Sequence, residues 1–267
     1  MPVVTITSEW NLTDFYLAAV KGALLTETGV QAIEISSDIQ KFNIAQAAFA
    51  LKNSYKFYPE GSIHLVAVKS ERTENHPFIV FYNDGHYFIG ADNGIFGLVF
   101  EEKPDKIVEI NLENSPVEGI CDSTFPELTV LVKVAGYLAK GGQMRLLGAD
   151  KYKVFRTITL LQTIDDATIE GAVLYIDSYQ NAITNITNDL FYQVGKNRPF
   201  EIFVQSNYYK ITKINKTYNE TSDGELLALF NSLNYLEIAI NNGNAAELLN
   251  LHTKSNIRIK FYDNPNR

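Results

Sequence analysis

Residues 171–186 read GAVLYIDSYQNAITNI. Ala172, Leu174 and Ile176 alternate with Val173, Tyr175 and Asp177, a period of two that predicts a largely buried strand. The strand breaks at a polar knot, Asp177-Ser178-Tyr179-Gln180-Asn181, and a second apolar run leaves it at 182–186. The knot has two readings. A carboxylate, a phenol and an amide at a strand exit suit a flat polar ligand. Equally, Asp177 and Asn181 can bond their own backbone in a β-turn.

Downstream the β character continues. Short β-rich segments recur at 173–176, 200–205, 208–214, 235–240 and 257–262, with Asn, Gly, Asp and Ser between them. This pattern predicts an all-β, barrel-like domain over residues 165–267, with a short helix at 245–251. Residues 157–169, containing Asp165-Asp166, read as a connector.

Upstream the periodicity differs. Residues 3–7 read as a strand, and Thr13 or Asp14 is placed to cap a helix in which Leu17, Val20, Ala23 and Leu24 recur at helical spacing. A second strand is expected at 32–35. Asn43 is placed to cap a helix carrying Ile44, Ala47, Ala48, Leu51 and Tyr55 on one face. Pro59-Glu60-Gly61 ends it, and 63–68 is a third strand. Strand–helix alternation predicts an α/β domain with a parallel-rich sheet, assigned to residues 1–164. Within it, 69–77 (KSERTENHP) is irregular, and Asn83-Asp84-Gly85 joins a hairpin. Asp92-Asn93-Gly94 is a turn, 107–110 a strand, and 128–140 a helix closed by Gly141-Gly142.

Composition narrows the function. A chain of 267 residues, 46% hydrophobic and 20% charged, has the material for a real core. A net charge of −8 without a Lys/Arg cluster argues against a nucleic-acid partner. The single Cys121 excludes an intramolecular disulfide and a Cys-based metal cluster. His64, His76, His86 and His252 lack metal-ligand spacing, so no metal is expected. The opening MPVVTITSEW has no signal-peptide pattern, and the longest near-apolar run, 128–139, contains Lys133 and is too short to span a bilayer. The expectation is a cytoplasmic protein without membrane contact.

Six stretches carry a resemblance: 7–22, opening Thr7-Ser8-Glu9-Trp10-Asn11 and including Asp14; 38–64; 87–94, ending Asp92-Asn93-Gly94; 123–142, opening Ser123-Thr124-Phe125; Asp177–Asn181; and 230–249, containing 231–246, NSLNYLEIAINNGNAA. In order, and across most of the chain, they resemble the S-adenosyl-methionine (SAM) hydroxide adenosyltransferase family, relatives of the SAM-dependent fluorinase and chlorinase. The resemblance implies an α/β domain followed by a β-barrel. It also implies a homotrimer with its pocket between the N-domain of one subunit and the C-domain of the next. SAM or adenosine is the implied ligand, with no further cofactor.

Residue by residue, Glu9 stands where the family's Asp holds the ribose hydroxyls, a task suited to a carboxylate that accepts two hydrogen bonds from a diol. Trp10 replaces Phe, Asn11 replaces Gly, and Asp14 and Ser123 are retained. Asp177, Tyr179 and Asn181 match the nucleoside segment, Ser232 and Asn242 the adenine end, and Tyr218 is placed to stack on the base. Leu233 and Ile240 fall where fluorinase-like members have Arg. The family hydrolases hold the attacking water with Asp, Arg and His; those positions here are Lys69, His76 or its neighbour, and Pro126. Two expectations follow. One is a SAM hydrolase releasing adenosine and methionine by attack at C5′, with Glu71, Arg72, Glu74 and His76 available as a substitute set. The other is a catalytically silent SAM- or adenosine-binding protein.

Overall fold

Five consecutive buried residues, Val4–Ser8, form strand β1, and the N-terminal half is arranged around it. The computed structural model describes residues 2–100, 102, 104–157 and 162–263. Its chain divides into two units, Met1–Thr157 and Ile158–Arg267. In the first, β1 is followed by helix α1 (Phe15–Thr28), β2 (Ile33–Ser36), α2 (Ile44–Lys52), β3 (Ile63–Ala67), β4 (Phe78–Asn83), β5 (His86–Ala91), α3 (Ile95–Val99), β6 (Lys106–Ile110), α4 (Val132–Ala139) and β7 (Gly148–Asp150).

The sheet order is β2-β1-β3-β5-β4-β6-β7. The pairs β1/β2, β1/β3 and β3/β5 are parallel, and the remaining pairs are antiparallel. The reversal comes from the β4–β5 hairpin. Its loop is Asp84-Gly85, with φ of 50° and 80°, the left-handed pair that a tight two-residue turn needs. Strand alternation sends side chains to two cores. Val4, Ile6, Ile63 and Leu65 pack with Leu17, Val20 and Leu24 of α1 and with Val134 and Leu138 of α4. Val66, Val68, Phe81 and Phe88 pack with Ala47, Ala48 and Leu51 of α2.

The caps follow the sequence in most places. Asn43 accepts from the Gln46 amide at 3.0 Å. Asp14 holds the N-cap position of α1, but its side chain makes no capping bond. The helix expected at 128–140 opens with a π-helical turn, Glu127–Leu131, closed by the Val132 amide on the Glu127 carbonyl. It ends as Gly141-Gly142 required, with Gly141 at φ 85° and Gly142 N–H bonded back to the Tyr137 carbonyl.

The second unit runs β8 (Thr163–Ile164), β9 (Thr168–Ile176), β10 (Ala182–Thr187), α5 (Asn188–Gly195), β11 (Phe200–Val204), β12 (Lys210–Ile211), β13 (Ile214–Asn215), β14 (Leu226–Phe230), β15 (Tyr235–Ile240), α6 (Ala245–Leu248) and β16 (Asn256–Phe261). One sheet, β12-β11-β16-β9-β10-β15-β14-β13 with β8 on β9, curls until β12 meets β14, giving the nearly closed barrel-like form. Ile169, Val173, Ile186, Ile202, Ile238 and Ile259 fill it.

Four local expectations are corrected. Helix α6 stands where the short helix at 245–251 was expected, whereas α5 was not anticipated. α5 is capped by Thr187 and docks Phe191 and Val194 on the barrel core, a segment too short for periodicity to reveal. β14 was not anticipated, because its unbroken apolar run LLALF fits a strand and a buried helix equally. The single strand expected at 208–214 is two short ones, β12 and β13, and the connector contains β8.

At the amino ends of β3 and β5 lies a buried polar chain. Thr5 Oγ1 is 2.7 Å from His64 Nδ1, and His64 Nε2 is 3.1 Å from His86 Nδ1. A neutral His64, with one donor and one acceptor nitrogen, satisfies both bonds. Burial, and secondly the neighbouring His86, pushes the pKa of His64 down to about 3. The unfolded chain takes up this proton near pH 6.5 and the folded chain does not. Stability from this residue is therefore complete above roughly pH 6.5 and is lost as pH falls toward 3, by on the order of 1–4 kcal/mol. Denaturant unfolding between about pH 7.5 and 4 should show this slope, and His64→Asn should flatten it; an equal slope in the variant would remove His64 as its source.

Candidate functional site

In the sheet order, β2 lies on one side of β1 and β3 on the other. The carboxyl ends of β1 and β3 therefore form the switch point at which open α/β sheets leave a crevice for ligands. Glu9, directly after β1, spans it. Its Oε1 accepts from the Lys69 amide at 2.9 Å, and its Oε2 accepts from the Phe42 amide. Both partners have left-handed backbones, with φ of 50° at Lys69 and 62° at Phe42. One carboxylate thus ties together the loops that follow β1, β2 and β3.

Beneath this tie is a group of buried polar side chains. Glu127, the first residue of the π-helical turn, is only 6% exposed. Burial raises its carboxyl above the usual range, and the nearby Glu9 adds to the rise. Its own amide and the Ser70 hydroxyl hold part of it back. The Ser70 hydroxyl faces this carboxyl but forms no hydrogen bond of regular geometry, and the buried hydroxyls of Thr7 and Ser8 are likewise without a partner. By strand alternation Ser8 falls on the face of Val4 and Ile6, the face that α4 covers. Trp10 stacks on Tyr16 at 6.3 Å and meets Phe125 edge-on at 5.8 Å, forming an aromatic wall.

The other N-terminal candidates are in different states. Asp14 leaves the α1 amides unbonded by its side chain. Ser123 is exposed and engaged locally, with Thr129 Oγ1 at 2.9 Å and the Phe125 amide donating to it at 3.1 Å. Lys69 has an exposed side chain, and its carbonyl accepts from Asn93. His76 places Nδ1 2.9 Å from the Asp92 carbonyl, so Nδ1 is the donor. Asp92 bonds the Phe155 amide at 2.8 Å, and its Oδ2 is answered by Lys151 at 3.2 Å. Asp92-Asn93-Gly94 is thus a structural turn. Glu71, Arg72 and Glu74 are exposed, with Arg72 3.5 Å from Asp122. Pro126 is buried and leads into the π turn, with no side-chain donor to offer.

In the second unit the knot is a tight turn. The Asp177 carboxylate accepts from the Tyr179 amide at 3.0 Å, the Asn181 amide at 2.8 Å and Asn181 Nδ2 at 3.2 Å. Gln180 at φ 64° completes it. Tyr179 is 77% exposed, and Asn181 is buried. Tyr218 donates to Glu237 at 2.6 Å, and Asn231 Nδ2 donates to the other Glu237 oxygen at 3.1 Å. Burial first, then the bond to Glu237 and the charge of Asp177, raise the Tyr218 phenol, so it stays protonated. Asn242, at φ 50°, bonds Asp223 at 2.8 Å next to β15's carboxyl end, where the Ala246 amide also reaches the Gln180 carbonyl. Ser232 is exposed beyond the opposite end of β15. Within one chain the structure therefore brings Asp177, Asn181 and Asn242 to the carboxyl end of β15 and leaves Ser232 beyond its other end, while Glu237 joins Tyr218 to Asn231, the neighbour of Ser232.

Sequence reasoning missed Glu127, Ser70 and Ser8. The available signal was an acidic residue directly after Pro126, heading an otherwise apolar helix. Among the described residues no group of three His, Cys, Asp or Glu side chains is arranged to hold a metal. No helix among them is long and apolar enough to cross a membrane.

The Asp177 geometry makes a direct prediction. Asp177→Ala removes the acceptor of three donors and should cost about 1–3 kcal/mol in urea denaturation, with Asp177→Asn milder. An unchanged midpoint for the Ala variant would show that the turn holds without the carboxylate.

The family model for the SAM hydroxide adenosyltransferase N-terminal domain matches residues 4–148, and that for the C-terminal domain matches 171–258. An (R)-S-adenosyl-L-methionine hydrolase of Methanocaldococcus jannaschii is 26% identical, covering 98% of this chain and 97% of its own length. One of Thermus thermophilus is 25% identical, covering 97% and 100%. A solved structure described as an uncharacterized conserved protein from Thermotoga maritima superposes with a TM-score of 0.86 at 23% identity, covering 97% of this chain and 100% of that one. Two family models in the right order span the crevice at the β1/β3 switch point and the turn at Asp177, and the chain belongs to the SAM hydroxide adenosyltransferase family.

Proposed function

We propose that this protein cleaves SAM to adenosine and methionine by attack of water on C5′ of the ribose. The observation that carries the reading is the end-to-end match to relatives named (R)-SAM hydrolase, through both halves of the family. Those names favour turnover over silent binding. The chemistry suits the fold. A sulfonium is a strong leaving group, so in-line placement and desolvation of the nucleophile supply most of what is needed.

In this reading Glu9 and Asp14 take the ribose, with Trp10 and Ser123 lining the crevice. Asp177, Tyr179 and Asn181 hold the nucleoside, Tyr218 stacks on the base, and Asn242 and Ser232 serve the adenine end. The family resemblance suggests a homotrimer with its pocket at the subunit interface, working in the cytoplasm. Light scattering should return three times the chain mass; a monomer would retire the shared pocket.

The direct test is incubation with SAM followed by chromatography. Adenosine and methionine should accumulate in equal amounts, and Asp14→Ala should slow this at least about tenfold. Glu9→Ala should weaken adenosine binding in calorimetry by more than about tenfold, roughly 1.4 kcal/mol. SAM that binds yet survives intact would establish a silent binder instead.

A further inference from the structure

Two of the water-handling positions implied by the family resemblance are unsuited to that task here. Pro126 has no polar side chain, and the Lys69 side chain is exposed, while His76 is held by its Nδ1 bond to the Asp92 carbonyl. One residue beyond Pro126, however, a carboxyl group is buried at the same crevice. We propose that Glu127, at the start of the π-helical turn and facing Ser70 and Glu9 across the β1/β3 switch point, receives the proton of the attacking water. The role rests on the proposed cleavage of SAM.

Three independent observations support it. Glu127 is 6% exposed, and among the described residues no salt bridge explains why a carboxyl is placed there. The Ser8 hydroxyl, 0% exposed, lies at the end of β1 without a hydrogen-bond partner, and Ser70, 7% exposed, faces the Glu127 carboxyl. Such groups are the ones that hold a small polar ligand, because leaving them unmet is costly. Finally, π-helical turns are uncommon inside helices and cluster at functional sites.

The step balances as follows. The water oxygen forms a bond to C5′ while the C5′–S bond breaks. The electron pair leaves with sulfur, turning the sulfonium into the neutral thioether of methionine. The water proton passes to a Glu127 oxygen and later to solvent. The groups facing Glu127 are the Glu9 carboxylate, the Ser70 hydroxyl and its own backbone amide. Their sum favours the protonated form over that of an ordinary carboxyl, which makes the carboxylate a better base.

The test compares kcat, KM and pH profiles of the full chain. In ¹⁸O-water the wild type should place the label at the 5′-oxygen of adenosine. Glu127→Gln should lower kcat about 100-fold or more while KM for SAM stays within about threefold. The acid limb of the wild-type kcat profile should be absent from this variant. Ser70→Ala should move that limb to higher pH, because it removes a group that favours the carboxylate; a merely structural role would not shift it. Thermal unfolding verifies that the variants are folded. Should Glu127→Gln not fold, the Ser70→Ala shift decides alone. Labelled adenosine from the wild type with an unchanged kcat or a retained acid limb in Glu127→Gln, or with no shift in Ser70→Ala, would overturn the role and leave the hydrolase reading standing. Absence of labelled adenosine from the wild type would overturn both.

Discussion

The Glu9 carboxylate is the constraint on which the N-terminal site depends. Parallel strands present their carboxyl ends together, and the chain must leave each in a different direction. Here two of those exits, at Phe42 and Lys69, take left-handed backbones that are disfavoured for side chains of their size. Each turns its amide inward, and a single carboxylate meets both. The bond is charge-assisted, which makes it stronger than an ordinary amide contact. The positions of Ser70, beside Lys69, and of Ser8, beside Glu9, follow from it.

The same economy of carboxylates recurs in the second unit. Asp177 meets three donors within its own turn. Glu237, on β15, meets Tyr218 and Asn231 from two other segments. Each acidic side chain fixes a loop that the barrel core cannot reach, since the apolar residues of β9 and β15 point inward. Glu127 differs. Its surroundings raise its carboxyl rather than lower it, as happens when burial outweighs partnership. A carboxylate used as a structural tie gains from strong donors; one used as a base loses reactivity to them.

How much was legible in the sequence depended on the range of the interaction. Helix α2, its Asn43 cap, the Asp84-Gly85 hairpin and the Gly141-Gly142 stop are local, and each could be read from neighbouring residues. The turn at Asp177 was readable for the same reason. β14 was not, because an apolar run carries no period, and α5 was too short to show one. The bond from Glu9 to Lys69 joins residues 60 apart in the chain, and no pattern announces it. Glu127 was hidden differently. A search for a histidine at position 126 stops at Pro126, although the adjacent acid heads the helix that covers β1 and β3.

That adjacency bears on how such a site can change without losing its reaction. Attack on a sulfonium asks little of a general base, because the leaving group departs as a neutral thioether. What it asks is that one water be held in line and stripped of its neighbours. Several side chains can share that duty in an open crevice. In the proposed site one carboxyl, Glu127, is buried near the strand ends that carry Ser8 and Ser70. Pro126 then has a role of its own. Its fixed φ, −63° in the structure, starts the π-helical turn that sets Glu127 on the sheet side. Pro126 thus starts the turn that places the buried carboxyl beside it.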